Sequence, residues 1–530
     1  MVKGFRQIAI LTVGSRIFGM LRDMAFAYFL GAGALFDGWA IAFKIPNLAR
    51  RIFGEGALSA SFIPVYSQEL HERPQQATKL ANTVVTVLFI VLGSIVLIGE
   101  GIIWGYYFFF SQYPDTDRTL ELAGIMLPHM LLICIVAILG GILNTHRHFA
   151  MPAMAPMVLN IFLVGSLCFG GWVLSLKPEK LVYLTAVAVI LAAFTKLVMQ
   201  LVPLYQRGIY IKPAWEVRSD AFKRIIWLMA PMLLGLTATQ INTLADDFIA
   251  LWFSGSAQKG EFFTWFGHQI RYPMWDGSVS QLYYSQRLYQ FPLGVLGTSL
   301  ATAIYPVMSG DAAKRDMTAL RLTISRGLRG AIFISIPAAA GLILVRQPLV
   351  SVLFERGRFG SHDSLMTASV LGFYAIGMCG FFLQQIVTLA FYSIQDSKMP
   401  ARTAILSVFT NLILNLTLIW FMGAPGLALS TSICSYLQVV ILVMFLDKRF
   451  EGPITQGLFD TLLKTAFATA IMYAAGMAVS SFMLKYLPSG LIFEISRLLA
   501  MVFTGGAVYV LIAKILKMEM LGLLTGKIAK

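Results

Sequence analysis

The sequence predicts an all-α polytopic membrane protein. Its layout is fourteen transmembrane helices, with two parallel-repeat six-helix lobes around a central cavity and two extra C-terminal helices. Three observations lead there. The 530 residues are 58% hydrophobic and 13% charged, with a mean hydropathy of +0.75, too apolar for a water-soluble interior to hide. Fourteen stretches are long enough to cross a bilayer, which takes ~20 mostly apolar residues. Parts of the first half also recur in the second.

The stretches run over 5–31, 35–68, 78–111, 118–147, 151–176, 180–206, 222–254, 280–309, 317–346, 364–393, 398–422, 425–447, 457–486 and 489–517. Lys3 and Arg6 precede the apolar IAILTV as in a signal peptide. Arg16 interrupts the run and no small-residue cleavage site follows, so it reads as a retained first helix. The second stretch is too long for one straight span, and Pro46, Gly54, Gly56 and Pro64 offer bending points. Connections with one face assigned to the cytoplasm hold 22 Lys and Arg against 9 on the other. That bias places both termini in the cytoplasm.

LSASFIPVYS at 58–67 is echoed by LATAIYPVMS at 300–309, and Met151-Pro152 by Met399-Pro400, at offsets of 242 and 248. Six helices per copy makes the repeats parallel, with a substrate site at their interface. The expected divisions are 1–215, 216–450 and 451–530, the last holding helices 13 and 14 and a cytoplasmic tail.

Charges stand where lipid-facing helices carry none, each costing ~2.5–3.5 kcal/mol at mid-membrane. Helix 1 has Arg16, Arg22 and Asp23; helix 2 has Asp37, Lys44, Arg50, Arg51 and Glu55. Helix 7 adds Asp246 and Asp247, and helix 8 adds Arg287 among Tyr283, Tyr284 and Tyr289. They read either as mutual ion pairs and end-of-helix snorkelers or as a polar chamber. Arg16, Arg22 and Arg50 have the fewest evident local partners. Arginine forks suit a diphosphate, while Asp246, Asp247, Asn411, Asn415 and Thr431 supply oxygens suited to sodium or a proton relay.

Other classes fall away. The basic residues are scattered through loops, which excludes a nucleic-acid partner and fits membrane lipid headgroups. No phosphate-binding GxxxxGK[ST] loop or HExxH is present, so the chain reads as no enzyme. Cys134, Cys168, Cys379 and Cys434 lie singly in apolar runs as small core residues. His146 and His148 flank Arg147 at headgroup level. The aromatic-rich loop at 254–278 reads as an interfacial belt or a lid.

The run SRxxGxxRD…GAG…D…FKIPNLARRIFGEGALSxSFIPV, with RLYQFPLGVLGTSLATAIYP further on, resembles the MurJ/MviN-type lipid II flippases of the multidrug/oligosaccharidyl-lipid/polysaccharide exporter superfamily. The resemblance implies two lobes around a V-shaped cavity, with helices 13 and 14 forming a groove for a polyprenyl tail. It implies alternating-access transport of lipid II, the undecaprenyl-diphosphate-linked muropeptide, from the inner to the outer leaflet of the bacterial inner membrane. By motif, Arg16, Arg22, Arg50 and Arg287 would be the essential cavity arginines, supported by Asp37 and Glu55. A sodium site of some members maps onto Asp246, Asn411, Asn415 and Thr431. Asn415 departs from the acid expected there, and Gln286 from the acid many relatives carry. Cell-wall synthesis proteins are candidate partners. The rival readings are a cation-coupled exporter of small cationic drugs and a non-transporting scaffold for cell-wall enzymes.

Overall fold

The computed structural model describes residues 2–54, 56–110, 114–450, 452–486 and 490–522. It is 83% helical and forms two compact units, one running to Ser280 and including Arg356–Phe359, the other holding the remainder.

The first unit contains α1 (Val2–Leu30), α2 (Ala34–Ala49), α3 (Ala57–Glu72), α4 (Pro74–Phe110), α5 (Pro114–Met126), α6 (His129–Thr145), α7 (Ala150–Cys168), α8 (Pro178–Gln206) and α9 (Asp220–Trp252). Helix α1 packs on α7, α7 on α8, α2 on α5, and α3 on both α4 and α9. Phe62, Tyr66, Leu80, Leu139 and Ile142 build its principal core. The bend expected in the second stretch falls at Arg50–Gly54, a five-residue π-helical turn between α2 and α3. Pro46 and Pro64 stay inside their helices.

The second unit begins within α10 (Ser278–Pro292), at Gln281. It contains α11 (Thr298–Ala313), α12 (Met317–Phe354), α13 (Ser361–Ser393), α14 (Lys398–Met422), α15 (Ala424–Asp447), α16 (Leu458–Tyr486) and α17 (Leu491–Ile515). Helix α13 lies between α12 and α15, and α16–α17 pack as a pair on α12. Small residues permit the α13–α15 approach: a Cβ at Gly377 would lie 2.3 Å from the Ser432 hydroxyl, the close packing that small residues allow within a bilayer. The Tyr509 hydroxyl donates to the Phe333 carbonyl at 2.7 Å and fixes α17 on α12.

A π-helical turn at Leu293–Gly297, the third among the described residues after Arg50–Gly54 and Phe169–Val173, separates α10 from α11. It follows the first by 243 positions, one more than the offset of 242 between the echoes at 58–67 and 300–309 and five fewer than that between the Met-Pro pairs. Helix α9 packs on α3 and so belongs to the first compact unit, although by repeat counting it opens the second lobe. Among the described residues, eleven helices are long and apolar enough to cross a membrane. The other expected stretches, 5–31, 35–68 and 222–254, are helical as well and hold most of the charged residues singled out above.

The chain departs from an all-α fold between α9 and α10. There β1 (Ser254–Gly255) pairs with β4 (Met274–Trp275), and β2 (Phe262–Trp265) forms a hairpin with β3 (His268–Arg271). Aromatic residues favour the pleated strand. Phe266 and Gly267, at φ of 48° and 80°, supply the two left-handed positions that a tight hairpin turn requires.

Candidate functional site

The charged residues of the first unit are held in separate arrangements. On α1, Arg16 is exposed and has no side-chain partner among the described residues. Arg22 is engaged: Nη2 donates to Asp23 at 2.6 Å and Nη1 to the Asn160 amide oxygen at 2.9 Å. Asn160 on α7 in turn donates to the Ser15 carbonyl at 3.3 Å. The sequence gives Arg22 no partner at helical spacing, because neighbouring residues point apart on a helix. The length of the arginine side chain closes that gap.

Lys44 forms an ion pair with Asp247 of α9 and also donates to the Thr243 carbonyl at 3.3 Å. Asp247 retains 6% of its side-chain exposure and Lys44 26%, so the carboxylate is withdrawn from water while the lysine still reaches it. Asp246 beside it is also buried. Asp37 is buried and saturated by backbone: it accepts from the amides of Gly277 and Ser280, each at 2.7 Å, and from the Ser280 hydroxyl. It therefore clamps the entry to α10. Gly277 has φ of 93°, and a Cβ there would sit 2.4 Å from the Ala32 carbonyl.

The π-helical turn presents Arg50 and Arg51 on a widened backbone. The extra residue per turn redirects side chains there, a feature frequent at functional sites. Arg50 Nε donates to Asn47 at 2.7 Å, and Arg51 to Gln240 at 3.1 Å. Glu55, the expected partner of Arg51, lies outside the described residues.

In the second unit, the Arg287 guanidinium lies 4.8 Å from the centre of the Tyr283 ring and donates to its hydroxyl at 3.4 Å. Gln286 donates to the Tyr374 hydroxyl at 3.1 Å, and Tyr289 stacks on the Tyr374 ring. Asn411, Asn415 and Thr431 do come together, joined by Ser430. Asn415 donates to the Asn411 oxygen at 2.9 Å, Asn411 donates to Thr431 at 3.3 Å, and Ser430 donates to the Asn415 oxygen. Each amide oxygen thus accepts a hydrogen bond within a neutral network. Among the described residues, no three His, Cys, Asp or Glu side chains are grouped for a metal.

Sequence reasoning missed Lys196, which is 2% exposed on α8. The signal was present: a lone cation within VYLTAVAVILAAFTKLVMQL, at a depth where charge demands explanation. Gln200, one turn along, is equally buried, and its Oε1 has no partner among the described residues.

Eleven helices long and apolar enough to cross a bilayer among the described residues, one of them carrying the buried Lys196, define a multi-pass membrane protein. The family model described as lipid II flippase MurJ matches residues 26–497. The chain belongs to that family. It is 31% identical to a Vibrio cholerae protein named "Probable lipid II flippase MurJ", over 90% of this chain and 87% of that one. A Buchnera aphidicola protein of the same name is 30% identical, covering 98% of both chains. Among solved structures, an inward closed lipid II flippase MurJ superposes with a TM-score of 0.75 at 23% identity, over 96% of this chain and 98% of that one. An inward-facing multidrug resistance MATE transporter gives 0.61 at 13% identity, over 83% and 98%. These two likenesses establish the fold.

Proposed function

We propose that this chain flips lipid II from the cytoplasmic to the outer leaflet of the bacterial inner membrane by alternating access. The family match over residues 26–497 carries the reading. In this scheme fourteen helices form two lobes and an appended pair, and both termini face the cytoplasm. Arg16, Arg22, Arg50 and Arg287 receive the diphosphate, whose oxyanions complement guanidinium forks. Asp37 and Glu55 support them, Asp37 by fixing the entry to α10. The polyprenyl tail stays in lipid along α16 and α17.

Exposed Arg16 is suited to first capture, while Arg22 would exchange part of its bond to Asp23 for phosphate. The membrane potential supplies a bias, since one charge moved through 100 mV is worth ~2.3 kcal/mol. Coupling to sodium through Asp246, Asn411, Asn415 and Thr431 would use the oxygens of the amide network, each of which accepts a hydrogen bond there.

The test is lipid II translocation in proteoliposomes by Arg16→Ala, Arg50→Ala and Arg287→Ala at matched protein levels. Loss in each supports the clamp, and full activity in all three overturns it. Export of a cationic dye with no lipid II movement would favour the drug-exporter alternative.

A further inference from the structure

Helices α7 and α8 run antiparallel, and their seam is open on its outer side. At the end carrying the α6–α7 turn and the C-terminus of α8 lies a groove of about 530 Å³. His148, Met151, Phe194, Val198, Val202 and Pro203 line it. From Phe194 to Gln206 the helix rises about 18 Å, close to the depth of one leaflet's hydrocarbon. Phe194, Val198 and Val202 keep 58%, 43% and 47% exposure, so this apolar trough is continuous with the membrane-facing surface of the two helices.

Its mouth is cationic and polar. Arg207 donates one nitrogen to the Pro203 carbonyl at 3.1 Å and another to His148 Nδ1, also at 3.1 Å. Because a guanidinium only donates, Nδ1 must be the acceptor, and the histidine proton resides on Nε2. That Nε2 is buried and has no partner among the described residues. Burial and the nearby Arg207 charge both hold His148 below its ordinary value, which favours the same neutral tautomer. A buried N–H without an acceptor is costly, and His148 is part of the groove lining, with Arg207 following Gln206 at the groove's end.

We infer that the α7–α8 groove binds one anionic diacyl phospholipid, with an acyl chain in the trough and the headgroup oxygens accepting from His148 Nε2 and Arg207. Basic pockets between spanning helices at a membrane face recognise anionic headgroups in this way. A single guanidinium and one neutral donor match a singly charged phosphodiester. A second groove of about 360 Å³ on the same seam, lined by residues such as Ile161, Phe169 and Leu191, has no charged residue in its lining and would take chains without headgroup preference.

Native mass spectrometry of the full-length protein in detergent tests this. The probes are dioleoyl-phosphatidylglycerol, dioleoyl-phosphatidylcholine, undecaprenyl phosphate and inorganic phosphate. Phosphatidylglycerol should be retained at about tenfold lower concentration than phosphatidylcholine, the preference expected of one guanidinium and one further donor near a headgroup. His148→Phe and Arg207→Gln should each reduce that preference to near parity, and Val198→Trp should weaken both phospholipids. Equal retention of the two by the parent would overturn the inference, as would a preference that survives His148→Phe. Displacement by undecaprenyl phosphate would instead make the groove part of the substrate's path, and competition by inorganic phosphate would reduce it to an anion site. Should Arg207→Gln fail to fold, His148→Phe still decides.

Discussion

Lys44 and Arg287 occupy matching positions in the two units: each lies six residues before a π-helical turn, and they are 243 positions apart. Their surroundings differ. Lys44 is tied to a buried carboxylate, whereas Arg287 rests on a tyrosine ring. A buried ion pair is held mainly because breaking it strands a charge. A cation over an aromatic face keeps part of its hydrogen-bonding capacity and is held less tightly. A cation thus stands six residues before a π-helical turn in each unit, paired with a carboxylate in the first and packed on a tyrosine ring in the second.

The largest expected effect tests the structural half of that contrast. Lys44→Ala strands Asp247 and should cost about 3–5 kcal/mol, read as a lowered unfolding temperature in detergent. The Lys44→Met, Asp247→Leu pair should recover most of it. Lys44→Ala with unchanged stability would remove the distinction between the two cations. Next, Asp37→Ala leaves three donors of the Gly277–Ser280 segment without an acceptor and should cost about 3 kcal/mol, with a milder loss in Asp37→Asn. Tyr283→Leu should cost only about 1 kcal/mol, yet alter lipid II translocation if the ring positions Arg287. An equally large stability loss would make that stack as structural as the ion pair.

The smallest effect is one of pH, at the rim of the first unit. Burial and Arg207 hold His146 and His148 below the ordinary histidine value of 6.5. The unfolded chain therefore takes up these protons first, and stability present above about 6.5 declines as pH falls from there towards the depressed values. A melting series from pH 7.5 to about 5 should be flatter in the His146→Gln, His148→Gln variant. A steeper one would show that the folded state welcomes those protons.

Much of this was legible in the sequence, because bilayers impose length and apolarity on every crossing segment. The break in the second stretch follows from its glycines and prolines, whereas nothing in the echo at Leu58 and Leu300 specifies the π-helical turns that precede both segments. Partners were harder to read. That Asp247 would meet Lys44, or Asn160 meet Arg22, depends on which helices pack together, and no spacing within one helix encodes it. Asp37 was read as an aid to substrate binding, but its oxygens lie against the backbone of a segment 240 residues away. The 254–278 loop concealed its strands because their hydrophobic alternation is short and overlaid by aromatic composition.

The π-helical turns have a mechanical corollary. Each accommodates a surplus residue in one widened turn, where an ordinary helix takes 3.6 residues per turn. Because the π turn at Arg50–Gly54 already absorbs its surplus residue, deleting Ile52 would return that stretch to ordinary helical winding while the faces on either side kept nearly their bearing. Arg50 and Arg51 would be re-aimed, so the surplus residue sets where those two guanidinium groups point.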